Sequence, residues 1–280
     1  MDMPANGRNI PDGGYRREQE SAIVTAILEA ESILTAFQPI IGLQEHRRFG
    51  VEALTRFPAG TGTPDTVFHS AHAVGLGTDL EVLAMRSAIN FLPLIPEGQY
   101  LAVNLSPTAA FDLSAWIQDE ADVDLARLVV ELTEETAVDY YPALRSRLAP
   151  MRERGLRLAI DDAGAGYSSL LPIVELQPDI IKIDKSLVGG IAADHARRSA
   201  IRAIVGLAQD LDAATVAEGI ETIADLNTAR DLGITCGQGY LLGRPSTDPA
   251  TLNSEPVPHA TTGAADLRNP RATRRSTVPV

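Results

Sequence analysis

Leu158-Ala159-Ile160-Asp161-Asp162-Ala163-Gly164-Ala165-Gly166-Tyr167-Ser168 is the stretch around which this sequence organises itself. Its apolar opening ends in two adjacent carboxylates and is followed at once by two glycines. That is the pattern of a buried strand delivering acids to a polar mouth and feeding a loop with few steric restraints.

Working outward, similar units recur. Strand-like runs stand at Tyr100–Asn104, Leu128–Leu132, Ile180–Ile183, Thr215–Ala217 and Ile234–Cys236. Between them lie helical patterns at Tyr141–Arg154, with a bend expected at Pro150, and at Leu170–Leu176, His195–Leu211 and Ile223–Leu232. Ile201, Ile204, Val205 and Ala208 share one face of the third of these. Toward the N-terminus, Ile33–Leu43 and Phe49–Leu54 flank a polar turn and read as a hairpin, with Pro39 favouring an edge or a bulge. Ala22–Ala30 reads as a short helix. Val67–Leu92 supplies helical material interrupted near Gly75 and Gly77. This succession predicts an α/β chain closed as a (β/α) barrel over residues 19–248, its early hairpin departing from the regular eightfold plan; an open doubly wound sheet is the rival. Residues 1–18 and 249–280 carry no periodic apolar face and are expected to be disordered arms, the second ending in Arg268, Arg271, Arg274 and Arg275.

The composition sets bounds on function. At 280 residues and 45% apolar content, one large core is the expectation. No apolar run is long enough for a membrane helix, and residues 1–14 lack the apolar core of a signal peptide. Cys236 stands alone, so an internal disulfide is excluded and a cytoplasmic location is the default. The formal net charge of −13 argues against a long nucleic acid as partner, while a small phosphorylated ligand bridged by divalent cations remains compatible with it.

Glu52 interrupts Val51, Ala53 and Leu54 within its strand, and the other acids and amides fall at or near strand ends: Asn104, Glu131, the Asp161-Asp162 pair, Asp184 and Glu218. In a barrel all C-terminal strand ends meet at one mouth. So many carboxylates raise one another's pKa unless cations compensate them. Oxygen ligands without histidine or cysteine at ligand spacing point to Mg²⁺ or Mn²⁺ over Zn²⁺, and two such ions suit phosphate-ester hydrolysis. Lys182 alternates with Ile181 and Ile183 and so points away from them, inward in a barrel, where it is placed to orient water or neutralise phosphoryl oxygens. Arg56 is within reach of a phosphate, and Gln238 of a base or a phosphate oxygen. The five histidines, Trp116 and Cys236 read as packing or surface residues.

These residues stand in motifs: Gln38-Pro39-Ile40, Glu52-Ala53-Leu54, Asn104-Leu105-Ser106, Glu131-Leu132-Thr133-Glu134, Asp161-Asp162, Lys182-Ile183-Asp184, Ala217-Glu218-Gly219-Ile220-Glu221 and Gln238-Gly239-Tyr240. In this order they resemble the EAL family of cyclic-di-GMP phosphodiesterases over about residues 20–247. The resemblance implies a modified TIM barrel whose first strand is antiparallel, and hydrolysis of cyclic di-GMP to linear pGpG with Mg²⁺ or Mn²⁺. It further implies that Glu52, Asn104, Glu131 and Asp161 hold one ion and Asp161, Asp162 and Asp184 serve a second. Glu218 would act as a base at the metal centre beside Glu52 and Lys182. Glu134 and Glu221 would support the site, and Gln38, Arg56 and Gln238 would contact substrate. It leaves room for a homodimer and for a regulatory protein partner.

One departure stands out: where active members usually carry Asp-Asp-Phe-Gly-Thr-Gly, this chain has Asp161-Asp162-Ala163-Gly164-Ala165-Gly166. Every metal-ligand candidate remains, so an active phosphodiesterase is the leading expectation. Its rivals are a catalytically weak or inactive EAL domain that senses cyclic di-GMP or docks a protein, and a different metal-dependent hydrolase on the same barrel.

Overall fold

A computed structural model of the chain describes residues 12–118, 123–133, 140–164 and 170–253. Eight strands close in sequence order: β1 Leu34–Gly42, β2 Arg48–Arg56, β3 Tyr100–Leu105, β4 Leu128–Leu132, β5 Arg157–Ala163, β6 Ile180–Ile183, β7 Ala214–Ala217 and β8 Cys236–Gly237. β1 is antiparallel to both its neighbours, and every other pair is parallel. Closure through Ile41↔Gly237 and Gly42↔Cys236 excludes the open doubly wound sheet. The fold is a modified TIM barrel.

The helices are α1 Asp12–Ala30, α2 Pro64–Ala73, α3 Gly77–Ile89, α4 Pro107–Phe111, α5 Leu113–Gln118, α6 Tyr141–Glu153, α7 Leu170–Leu176, α8 Lys185–Val188, α9 His195–Asp210 and α10 Ile223–Asp231. Their starts are coded locally. The Thr63, Asp184, Asp194 and Thr222 side chains accept from N–H groups of the first turn, and Ser106 does the same ahead of Pro107 at the first helical position. Ser106-Pro107 ends a strand, as expected, but it also starts α4, which the hydrophobic pattern does not show. α6 continues through Pro150 to Glu153. Pro39 sits beyond the reach of the two-residue β8, so its missing donor breaks no ladder bond there.

Two faces of each strand have separate tasks. One carries Val51, Leu101, Val103, Leu128, Val130, Leu158, Ile160, Ile181 and Ile183, which pack under the helices in the large outer core. The other carries Ile40, Tyr100, Ala102, Val129, Ala159, Ile180, Val216 and Cys236, which fill the barrel axis. Because side chains alternate with a period of two, the next inward residues toward the mouth are Gln38, Asn104, Glu131, Asp161, Lys182, Glu218 and Gln238. An apolar plug therefore carries a polar layer directly above it.

The barrel's body is longer at both ends than the hydrophobic pattern implies. Residues 12–18, expected to be disordered, form the first turns of α1, continuous with the part of the helix anchored by the buried Val24 and Ile27. At the other end, Pro249–Asn253, expected to begin the disordered tail, forms a 3₁₀ turn with Leu252 only 1% exposed. Buried Arg48 holds that turn: Nη1 donates to the Thr251 carbonyl at 2.9 Å, Nη2 to the Leu252 carbonyl, and Nε to Gln99 Oε1 at 2.7 Å. The remaining parts of the arms, 1–11 and 254–280, lie outside the described residues. Arg48→Ala and a truncation after Asp248 are each expected to destabilise the protein by about 3 kcal/mol. Combined, they should cost less than the sum in urea denaturation, since they remove the same contacts.

Candidate metal centre

Lys182 is the hub of the mouth. Its side chain is 1% exposed, and Nζ lies 2.8 Å from Glu131 Oε2, 2.8 Å from Glu218 Oε1, 3.2 Å from Asp161 Oδ1 and 3.5 Å from Glu52 Oε2. Each acid arrives from a different strand: Glu131 near the end of β4, Glu218 just after β7, Asp161 within β5 and Glu52 at the middle of β2. Four carboxylates around one ammonium leave three negative charges uncompensated when all are ionised.

Amides fix the orientation of Glu52. Asn104 Nδ2 donates to its Oε1 at 2.9 Å and Gln238 Nε2 to its Oε2 at 2.7 Å. Gln238 Nε2 also donates to Gln38 Oε1 at 2.9 Å, while Gln38 Nε2 donates to the Gly243 carbonyl at 3.1 Å. Both polar ends of Gln38, expected to contact substrate, are thus engaged in holding Gln238. Gln238 Oε1 is buried and has no hydrogen-bond partner among the described residues, so it is an acceptor left over for a ligand.

Asp162 reaches the mouth by a break in the strand. Successive strand residues face opposite ways, so Asp161 and Asp162 should diverge. Between Ile160 and Ala163 the register with β6 shifts, and Asp162 takes φ 54°, in the left-handed region. The bulge brings oxygens of Asp161, Asp162 and Glu218 within 4.8 Å of one another, a spacing suited to a divalent cation. Gly164 follows with φ 102°, a backbone conformation that side chains adopt only with strain, and a Cβ there would also crowd Leu187 Cδ1 at 2.2 Å, so glycine suits the exit from the bulge.

The charges respond to this crowding. Burial alone would lower the Lys182 ammonium, but the surrounding Asp161, Glu131, Glu52 and Glu218 raise it well above the ordinary lysine value. Burial would raise the Glu52 carboxyl, and the Lys182 charge with the amide hydrogen bonds reverses this, holding it below the usual range. Burial and the neighbouring Glu52 push Glu131 well up. Glu218 is pushed up to about 7, chiefly by burial, with Asp161 and Glu52 adding to it and Lys182 opposing. These are acids that lack enough positive charge, and the donor set of oxygens fits a hard divalent cation.

The other expected residues are distributed as follows. Asp184 is buried, and its Oδ1 accepts from the Ser186 N–H at 2.9 Å. Burial would raise its carboxyl, but hydrogen bonds from Ser186 and the Lys185 N–H hold it lower. It caps α8 and stands outside the Asp161–Asp162–Glu218 cluster. Arg56, half-buried at the end of β2, donates to the Thr55 carbonyl at 2.9 Å. Glu221 is exposed on the segment after β7, and Glu134 lies outside the described residues, as does the altered loop from Ala165 on. One residue escapes a reading by strand ends: Glu81 of α3, buried against the end of β3. The signal for it is a charged residue at i, i+4, i+7 and i+8 with Met85, Ala88 and Ile89, on a face that is otherwise apolar.

Fold and site together define a modified TIM barrel whose mouth carries a carboxylate cluster with oxygen donors suited to a divalent cation. The chain belongs to the EAL domain family, which it matches over residues 20–245. Cyclic di-GMP phosphodiesterase PA2567 of Pseudomonas aeruginosa is 31% identical over 241 residues, 80% of this chain and 40% of that protein. PaMucR phosphodiesterase, solved in complex with c-di-GMP, has a TM-score of 0.73 at 30% identity, covering 81% of this chain and 97% of that one. Klebsiella pneumoniae BlrP1, solved with manganese and cy-diGMP, has a TM-score of 0.68 at 32% identity, covering 76% and 56%. The chain spans less than half the length of the curated relatives it matches. No helix among the described residues is long and apolar enough to cross a membrane.

Two outcomes follow from this geometry. Asp162→Asn and Asp162→Ala should both weaken Mn²⁺ binding, but Ala should be about 1 kcal/mol less stable than Asn in denaturant, because asparagine tolerates the left-handed backbone. Mn²⁺ binding should also release protons. Glu218 is protonated below about 7 and must ionise to act as a ligand, so calorimetry should show affinity rising with pH through that value, with a heat that depends on the buffer's ionisation enthalpy.

Proposed function

We propose that this chain hydrolyses one phosphodiester bond of cyclic di-GMP to give linear pGpG, with Mg²⁺ or Mn²⁺ held in the barrel mouth. The observation that carries the reading is the ring of four carboxylates on Lys182 beside the Asp161–Asp162–Glu218 cluster. The phosphodiesterase activity of the relatives and the ligands of the solved family members support it.

In this reading Glu52, Asn104, Glu131 and Asp161 hold one ion, and Asp161, Asp162 and Asp184 serve a second beside Glu218. Bound there, the ions supply Lewis acidity toward water and the phosphoryl oxygens. The protein's residues do the rest. Glu218, ionised beside the ions, takes the proton of the attacking water as the new P–O bond forms and the ester bond to the ribose oxygen breaks; that oxygen takes up a proton from solvent water. Lys182 holds its charge against the developing negative charge on phosphorus oxygens. Gln238 offers its free Oε1 to the substrate, Gln38 keeps it oriented, and Arg56 contacts a phosphate. The cytosol is the compartment we assign, consistent with a lone buried thiol. A homodimer or a regulatory partner would supply control.

Purified protein mixed with cyclic di-GMP should form pGpG in Mg²⁺ or Mn²⁺, followed by chromatography. Glu52→Ala and Lys182→Ala should each lower kcat by about 100-fold or more. Nucleotide binding without product in either metal would overturn hydrolysis in favour of a sensor module.

A further inference from the structure

We propose that Glu81, on an outer helix, is a positioning residue for the metal centre, acting through the end of β3 on Asn104 and Glu52. The inference rests on the reading above that Asn104 and Glu52 hold a cation. Glu81 is 6% exposed and lies on the core face of α3. Its two oxygens have different partners. Oε2 accepts the Ser106 backbone N–H at 2.7 Å, and Oε1 lies 2.6 Å from His72 Nε2 on α2. Gly77 makes that second contact sterically available, because a Cβ there would lie 2.2 Å from His72 Nδ1.

The place where Glu81 grips the chain is the place where the sheet lets go. Pairing of β3 with β2 ends at Ala53↔Val103, whereas pairing with β4 runs on to Leu105↔Leu132. Past Val103, β2 offers no further ladder acceptor, and a main-chain N–H buried there without one would be costly. The carboxylate fills that role for Ser106, two residues after Asn104. Asn104 in turn donates through Nδ2 to Glu52 Oε1, which leaves its amide oxygen free to face a cation. A carboxylate acceptor is a stronger tether than a neutral one, and supports of this kind behind a ligand change metal affinity when removed. A charge buried on a helix face is otherwise expensive, and an apolar residue there would serve packing alone.

The test is direct Mn²⁺ binding by the full chain, followed through the paramagnetic resonance signal of free Mn²⁺, beside thermal unfolding. Glu81→Ala should weaken Mn²⁺ affinity on the order of 10-fold. Glu81→Gln, whose amide can still accept from Ser106 and donate to His72, should recover most of it. Arg127→Ala, which removes hydrogen bonds to the Ile95, Pro96 and Gln99 carbonyls, should lower the unfolding temperature with Mn²⁺ affinity kept. If Glu81→Ala does not fold, His72→Ala takes its place with a loss in the same direction. Wild-type affinity in a folded Glu81→Ala, or equal losses in Arg127→Ala, would overturn the inference while leaving the metal centre intact. Absence of Mn²⁺ binding by the wild-type protein would overturn the metal-centre reading and this inference with it.

Discussion

A single ammonium group buried among four carboxylates sets the terms for the rest of this molecule. Removing charges from water costs several kcal/mol per ion, and the cost is recovered only where geometry is close and every remaining lone pair has a partner. Lys182 recovers part of that cost because four strands bring their acids to it, which requires that the sheet be closed and the register be kept. A slip of one residue in β6 would exchange Lys182 for Ile181 or Ile183 and put an ammonium beneath the helices. The outer core and the polar mouth are thus two consequences of one register.

Closing the barrel also explains the unusual chemistry of Asp162. Regular alternation can supply each strand's end with one inward acid, but it cannot supply two in succession. The bulge in β5 pays that limit in backbone strain, and Gly164 relieves the next step. The outcome is a site with two kinds of acid. Glu52 and Glu131 are fully enclosed and titrate against Lys182, while Asp161, Asp162 and Glu218 sit nearer to solvent and are only partly covered.

Much of this was legible before any coordinates, for a physical reason. Strands in parallel sheets are short, apolar and ended by polar residues, so Leu128–Leu132 and Ile180–Ile183 stand out to the residue, and the parity of Lys182 against its isoleucine neighbours tells which way it faces. What was not legible depends on contacts distant in sequence. Ser106-Pro107 reads equally as a stop or a helix start. The inward turn of Asp162 depends on a register shift against β6. The docking of residues 249–253 depends on Arg48, about two hundred positions away. Asp184 stands at a strand end like the other acids, yet its carboxylate is turned to the Ser186 N–H, because the residue after a strand is also the cap of the next helix.

The use of basic residues leads to a last point about charge. The chain has only two lysines, Lys182 and Lys185, and its other basic side chains are arginines. Arg48, Arg127, Arg152 and Arg198 each fork onto two or more backbone carbonyls, a task that suits a planar guanidinium and not an ammonium. These cations therefore tie turns and strand ends together and bring no charge to the mouth. Among the described residues, Lys182 is the cation whose ion pairs reach the four acids, and a compact point charge attracts four carboxylates at once where its three donors could not bond all of them. With these four arginines committed elsewhere and Lys182 facing four acids, the excess negative charge at the mouth is left to be balanced by protons or by divalent ions. Burial and crowding push the Glu131 and Glu218 carboxyls up, and a divalent ion bound there would draw them back toward the ionised form.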